Sequence, residues 1–150
     1  MMNWITKMCY ALLVSTTSEE DLTAHNSRLV KFSSDLPDLK ERARLSHENK
    51  WYAASRLGCS CAFRHLYSVE LGFGAPVDWY GENEEDILAT KEFIKIVRGL
   101  ISAGHQVDCV DAWWSGSELP YVEMPVDLNL VSDDQFRFLE NHKFIFSNMA

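Results

Sequence analysis

Apolar and polar positions alternate along this chain with two periods, near 2 and near 3.6, and these divide it into strands and helices. Residues 8–14 (Met8, Cys9, Tyr10, Ala11, Leu12, Leu13, Val14) are apolar at every position. That is the pattern of a strand buried on both sides in the middle of a sheet. Ser15, Thr16, Thr17 and Ser18 follow as capping side chains. Ser18 and Asp21 stand three apart like a capping box, with Glu19 and Glu20 in a first turn. Leu22, Leu29 and Phe32 add one apolar stripe, so the pattern predicts a helix over 18–33. Residues 35–50 are polar, contain Pro37 and carry Lys40, Arg42, Arg44 and Lys50, and they predict a long loop with a basic stretch.

Residues 50–57 alternate as a strand that Gly58 breaks, and 61–69 predict a second strand antiparallel to it. Gly72, Phe73, Gly74, Ala75 and Pro76 predict a loop. The strongest local pattern is a helix over 84–103. Asn83 is its N-cap, Glu84, Glu85 and Asp86 fill its positive first turn, and Gly104 ends it in a left-handed conformation. Ile87, Ala89, Phe93, Ile94, Ile96, Val97, Leu100 and Ile101 fall within one half-circle of it, with Lys91, Glu92, Lys95 and Arg98 opposite. A face that wide belongs against a sheet.

A strand over 105–114 puts Cys109, Asp111 and Trp113 on one face and Asp108, Val110, Ala112 and Trp114 on the other. After a Ser115-Gly116-Ser117 turn, 121–130 predict a strand interrupted by Pro125. Ser132 and Gln135 cap a short helix to about 142, and Phe144, Ile145 and Phe146 end the pattern as a strand or docked tail. The order β-α-β-β-α-β through residue 114 is that of a split βαβ unit. The expected fold is therefore a single α+β domain over 1–150. It is a sandwich with a mainly antiparallel sheet covered by two helices and a C-terminal helix/strand extension.

Charge changes this picture more than composition does. The chain carries a formal net charge of −8, with 47% hydrophobic and 24% charged residues. Residues 1–64 hold nine Lys/Arg and seven Asp/Glu, a net of +2; residues 65–150 hold five and fifteen, a net of −10. An acidic surface repels phosphate backbones and anionic lipid heads, which argues against nucleic acid or membrane as a general partner and suits a basic protein. No apolar run is long enough to span a bilayer. Four cysteines are too few for a disulfide framework, and no small-x-small cleavage site follows the apolar run after Lys7. Both point to a reducing cytoplasm.

Candidate chemistry concentrates in one segment: Arg56, Cys59, Cys61, Arg64 and His65 lie within ten residues. Three readings compete. Cys59, Cys61 and His65, with Cys109 as a fourth ligand, could hold zinc, although Cys-x-Cys with one His is not a usual zinc spacing. Alternatively Arg56, Arg64 and His65 could favour a thiolate at Cys59 or Cys61, with His65 as base. That reading needs a bend after Cys61, because on a straight strand His65 lies roughly 13 Å away. The third reading makes the cysteines small core residues beside a tight turn. On 105–114 the two carboxylates point to opposite faces, so Asp111 pairs better with Cys109 than with Asp108.

Trp79-Tyr80 follows a Gly/Pro loop and Trp113-Trp114 precedes a Gly/Ser turn, positions where tryptophan anchors binding surfaces. Taken together, the sequence predicts a small acidic protein-binding module of the inhibitor or immunity kind. Its contacts would come from Trp79, Tyr80, Glu84, Glu85, Asp86 and Trp114. The alternative is a thiol- or metal-dependent enzyme centred on Cys59, Cys61 and His65, with Arg64 assisting.

Overall fold

The computed structural model describes residues 10–56, 59–66, 73, 83–113, 121–139 and 141–148. Six strands form one sheet: β1 (Tyr10–Thr16), β2 (Val30–Ser33), β3 (Asn49–Ser55), β5 (Val107–Trp113), β6 (Val122–Asp127) and β8 (His142–Ser147). Their order is β2-β3-β1-β5-β8-β6. Every neighbouring pair is antiparallel except β6 and β8, which run parallel. Two short strands, β4 (His65–Leu66) and β7 (Phe138–Leu139), form a separate parallel pair. Among the described residues there is one α-helix, α1 (Glu84–Ser102). No described helix is long and apolar enough to cross a membrane.

The expected two-helix sandwich is therefore corrected to a mixed, mostly stranded sheet with one helix. The region 18–33 is a 3-10 turn, Leu22–His25, followed by β2. Asp21 caps the turn by accepting from the Thr23 N–H, and Asn26 then leaves it in an extended conformation. Val30 and Phe32 go inward while Lys31 goes outward, the period of a strand. The region 61–69 also departs from expectation. A 3-10 turn (Ser60–Ala62) leads into β4, which pairs with β7 rather than with β3.

At 132–142 the cap is real, because the Ser132 N–H and hydroxyl both reach Gln135 Oε1. The chain then extends as β7 instead of continuing as a helix. The predicted helix over 84–103 is present as α1, with Asn83 accepting from the Glu85 N–H and Gly104 at φ 96°. The expected strands over 50–57 and 105–114 correspond to β3 and β5. Residues 67–69 of the expected second strand lie outside the described residues, as do most of the 72–76 loop, Met8, Cys9 and Gly58.

The sheet is covered on both faces. On one, α1 lays Phe93, Ile94, Val97 and Leu100 against Leu12, Val14, Ala53, Cys109 and Phe144. Phe63, Phe136 and Phe138 close that core with edge-on and tilted ring contacts 5.0–6.0 Å apart. The other face carries mostly smaller residues, Ala11, Leu13, Ala54, Val110 and Ala112, together with Tyr52. It is covered by a strap over 34–48 containing a 3-10 turn, Lys40–Arg44, with Leu36, Leu39 and Leu45 packed inward.

Edge strand β6 gives its even-numbered residues' hydrogen bonds to β8, as the Val122 N–H to Asn141 O and the Leu128 N–H to Ser147 O show. In a parallel pair this turns the backbone polar groups of Glu123, Pro125 and Asp127 away from β8, and the Asp127 carbonyl accepts there from the Leu130 and Val131 N–H groups. Proline therefore removes the middle donor from the open edge, a device against strand addition.

Candidate functional site

The segment that concentrated the candidate chemistry is held at the end of β1 by several separate fastenings. The Cys59 carbonyl accepts from both the N–H and the hydroxyl of Ser55, at 2.8 Å each. Ser60 is fully buried; its hydroxyl donates to Ala53 O at 2.6 Å and accepts from the Leu12 N–H at 2.8 Å. The sulfur of Cys61 accepts from the Tyr10 N–H at 3.2 Å. These bonds tie the segment to the backbone of two strands, β1 and β3, which is why the chain here turns sharply instead of running on as a strand.

His65 then packs face to face on Tyr10, with centroids 3.7 Å apart and planes 5° from parallel. Tyr10 stacks in turn on Trp113, its cross-strand neighbour, at 4.3 Å. The imidazole is spent at both nitrogens: Nδ1 lies 2.9 Å from Asp111 Oδ2 and Nε2 lies 2.8 Å from the Ser60 carbonyl. A carbonyl can only accept, so Nε2 carries a hydrogen. The other nitrogen faces the Asp111 carboxyl, and the ring lies on the Tyr10 face. The His65 side chain is 7% exposed and that of Asp111 is 0%. The pair works as an internal clamp between β4 and β5.

The predicted site residues thus separate. Cys59 and Cys61 are half-buried, beside the surface. Cys109 lies in the core under α1; burial first, and then the Asp108 and Asp111 carboxylates, push its thiol well above its ordinary pKa. Arg64 turns away from the sulfurs. It is buried, its guanidinium donates to the Asp134 carbonyl at 2.6 Å, and its N–H donates to Thr90 Oγ1 at 2.8 Å. Among the described residues no three His, Cys, Asp or Glu side chains converge on a point where a metal could sit. Zinc on Cys59, Cys61 and His65 would first require His65 to release Asp111 or Ser60. A Cys–His base pair would require the same.

Of the expected contact residues, Trp79, Tyr80 and Trp114 lie outside the described residues. Glu84 is exposed at the start of α1. Glu85 pairs with Arg28, whose hydrogen bond holds its carboxyl below the usual range, and Asp86 pairs with Arg56 at 2.8 Å. The acidic first turn is therefore partly neutralised from within the chain.

Three buried polar features escaped sequence reasoning. The first is the His65–Asp111 pair. The second is Asp108 on the strap face. It accepts from the Ser15 hydroxyl and, at 3.0 Å, from the Ser46 N–H, and it lies 3.5 Å from Lys143 Nζ. Lys143 also donates to Ser46 Oγ at 2.6 Å, so the group ties the strap to β1, β5 and β8. The third is Glu41, fully buried beneath the strap. Only the parity of β5, which sends Asp108 and Asp111 to opposite faces, was open to sequence reasoning. No protein-family model matches the chain, and no curated protein or solved structure does so either.

Proposed function

We propose that this chain is a cytoplasmic protein-binding module, of the inhibitor or immunity kind, whose partner presents a basic surface. One observation carries the reading: residues 65–150 hold fifteen Asp/Glu against five Lys/Arg, and three of those five are buried or bonded within the chain. Residues 65–150 contain five Lys/Arg, namely Lys91, Lys95, Arg98, Arg137 and Lys143. Arg137 and Lys143 are buried, and Arg98 donates to the Leu128 and Val131 carbonyls and bonds Asp133. Lys91 and Lys95 remain exposed, while Glu84 and Glu123 stand at the surface and Asp127, Asp133 and Asp134 are half-exposed. Asp108 and Asp111 are buried as well, so among the described residues burial removes two charges of each sign and the acidic excess of this half stands; such a field speeds association with a basic partner. The enzyme reading is set second because His65 commits both nitrogens to the chain's own acceptors.

The test is affinity capture with identification of bound proteins, at low and high ionic strength, using wild type and the single variants Glu84→Lys and Glu123→Lys. Among the described residues neither side chain pairs with an arginine, so the fold should stay intact. The expected partners are basic, are lost at high salt, and associate about tenfold more slowly with at least one variant. Partners retained equally by all three proteins at both salt concentrations would end the reading.

A further inference from the structure

A groove of about 330 Å³ runs between α1 and the segment that follows β1. That volume is at the small end of the range for ligand pockets, so it suits a small molecule and not a large cofactor. One wall is the side of α1 that carries Glu92, Lys95, Ile96 and Gly99, spaced so that they are neighbours on one face of a helix. The other wall is Glu20 and His25, at either end of the first 3-10 turn and joined through Oε1 and Nε2 at 2.8 Å. Leu22, fully buried, pins that turn to the core and so fixes the wall.

Gly99 keeps the groove open. A glycine inside a helix costs stability relative to alanine, and it is tolerated where the backbone needs a positive φ or where another group comes close. Neither reason applies here. Among the described glycines only Gly104 has a positive φ, and a Cβ added at Gly99 would meet nothing within 4 Å. The space above Gly99 belongs to the groove, and Ile96 and Leu100 form its apolar floor.

Charge selects what fits. Glu20 already has His25 as its partner. Glu92, half-buried, and Lys95, exposed, take part in no hydrogen bond or ion pair among the described residues. The groove thus offers one carboxylate and one ammonium side by side. A lone cation or a lone anion would meet one attraction and one repulsion, whereas a ligand bearing both charges meets two attractions. None of the lining residues is Phe, Tyr or Trp, so a flat ring system has no matching face to stack on.

We infer that this groove binds a small zwitterion, an α-amino acid with an aliphatic side chain. Its ammonium group faces Glu92 and its carboxylate faces Lys95. Its side chain occupies the space over Gly99, against Ile96 and Leu100. Neither Glu84 nor Glu123 lines the groove, so the site stands apart from the acidic partner surface.

Nuclear magnetic resonance titration of the wild type with leucine tests it, at constant ionic strength. The controls are isopentylamine and isocaproate, which are leucine without its carboxylate and without its ammonium group. The expected result is saturable shifts at the amides of 20–25 and 92–100 with leucine. Either control should bind about tenfold more weakly or worse, since each keeps one repulsion. Gly99→Leu fills the open space and should abolish saturation while the fold stays intact. Glu92→Gln and Lys95→Gln should each weaken binding by roughly two- to fivefold, the size of an exposed charge contact. Should Gly99→Leu fail to fold, these two variants decide. No saturable shift with leucine up to its solubility, controls that bind as tightly as leucine, a folded Gly99→Leu that responds like wild type, or two charge variants that both do so would overturn the inference.

Discussion

The two faces of this sheet are closed by different means. Under α1 the cover is a 19-residue helix, and the contacts are large interlocking rings, with Phe93, Phe136, Phe138 and Phe144 all fully buried. Under the strap the cover is a loop with one 3-10 turn, and the floor is alanine, valine and leucine with a single aromatic, Tyr52. The helix satisfies its own backbone and can spend its side chains on packing. The strap cannot, so it borrows Asp108, Ser15 and Lys143 as fasteners and carries Glu41 inside. Apolar area holds one face; a few polar bonds of high individual worth hold the other.

The sharpest break in that contrast should come from truncation on each side. Phe93→Ala removes a ring that contacts Phe32, Phe63 and Phe138 and should cost about 3–5 kcal/mol in urea unfolding. Leu45→Ala beneath the strap should cost about 2 kcal/mol, at the low end for such a change, because a loop can settle into the gap. Similar costs would mean that the strap is packed as tightly as the helix.

Asp108→Ala should cost about 3 kcal/mol, since it strands Lys143 and the Ser46 N–H together. Hydrogen exchange supplies the discriminating readout: amides of 36–47 should lose protection while those of α1 keep theirs. Uniform loss across both regions would show that the fasteners serve the whole sheet.

Glu41→Leu should act in the opposite direction and stabilise the protein by about 1–2 kcal/mol, because it removes a buried polar side chain that has no hydrogen-bond partner among the described residues. A companion effect appears in alkali. Cys109 and Tyr121 both have folded-state pKa values raised above their ordinary ones. Each group's contribution is complete below its unfolded pKa, about 8.5 for the thiol and 10 for the phenol, and is lost as pH rises through the folded value. Stability should therefore decline from about pH 8.5 upward. The phenol's share of that decline should shrink in Glu41→Leu.

Smallest of all, Gly99→Ala on the exposed side of α1 should stabilise by about 0.5–1 kcal/mol, since an added Cβ meets nothing within 4 Å. Any loss of stability would reveal a constraint on that helix face that the packing does not show.

The same contrast explains what could be read from sequence. Helix α1 was legible in full, from the Asn83 cap to Gly104, because eight apolar residues repeat on one face and both ends carry capping chemistry. Strands β3 and β5 were legible by alternation. The segment 18–33 misled because three apolar residues spaced seven and three apart fit a sparse helix. The shorter pattern of Val30, Lys31 and Phe32 beside an Asn26-Ser27 turn was the truer signal. At 132–142 a genuine cap closed on itself and led nowhere.

The candidate site was legible only as a location. Sequence marked the segment holding Cys59, Cys61 and His65. The partner that fixes His65 is Asp111, 46 residues away on another strand. Parity had assigned Asp111 to Cys109, and tertiary contact took precedence. Glu41 gave no signal at all, since a glutamate among Lys40, Arg42 and Arg44 reads as one more solvated charge.

The position of β1 also bears on how a nascent chain becomes this molecule. Its two neighbours are β3, nearby in sequence, and β5, which itself leans on β8. During synthesis β1 and β3 can pair early. The side of β1 that will receive β5 then stays bare until more than fifty further residues have left the ribosome, on the order of seconds. An apolar strand with one open flank is the kind of surface that chaperones hold. The period of greatest aggregation risk therefore falls before α1 and β5 emerge, and codons that slow translation between β3 and β5 should lower the soluble yield of a chain whose finished fold is unchanged.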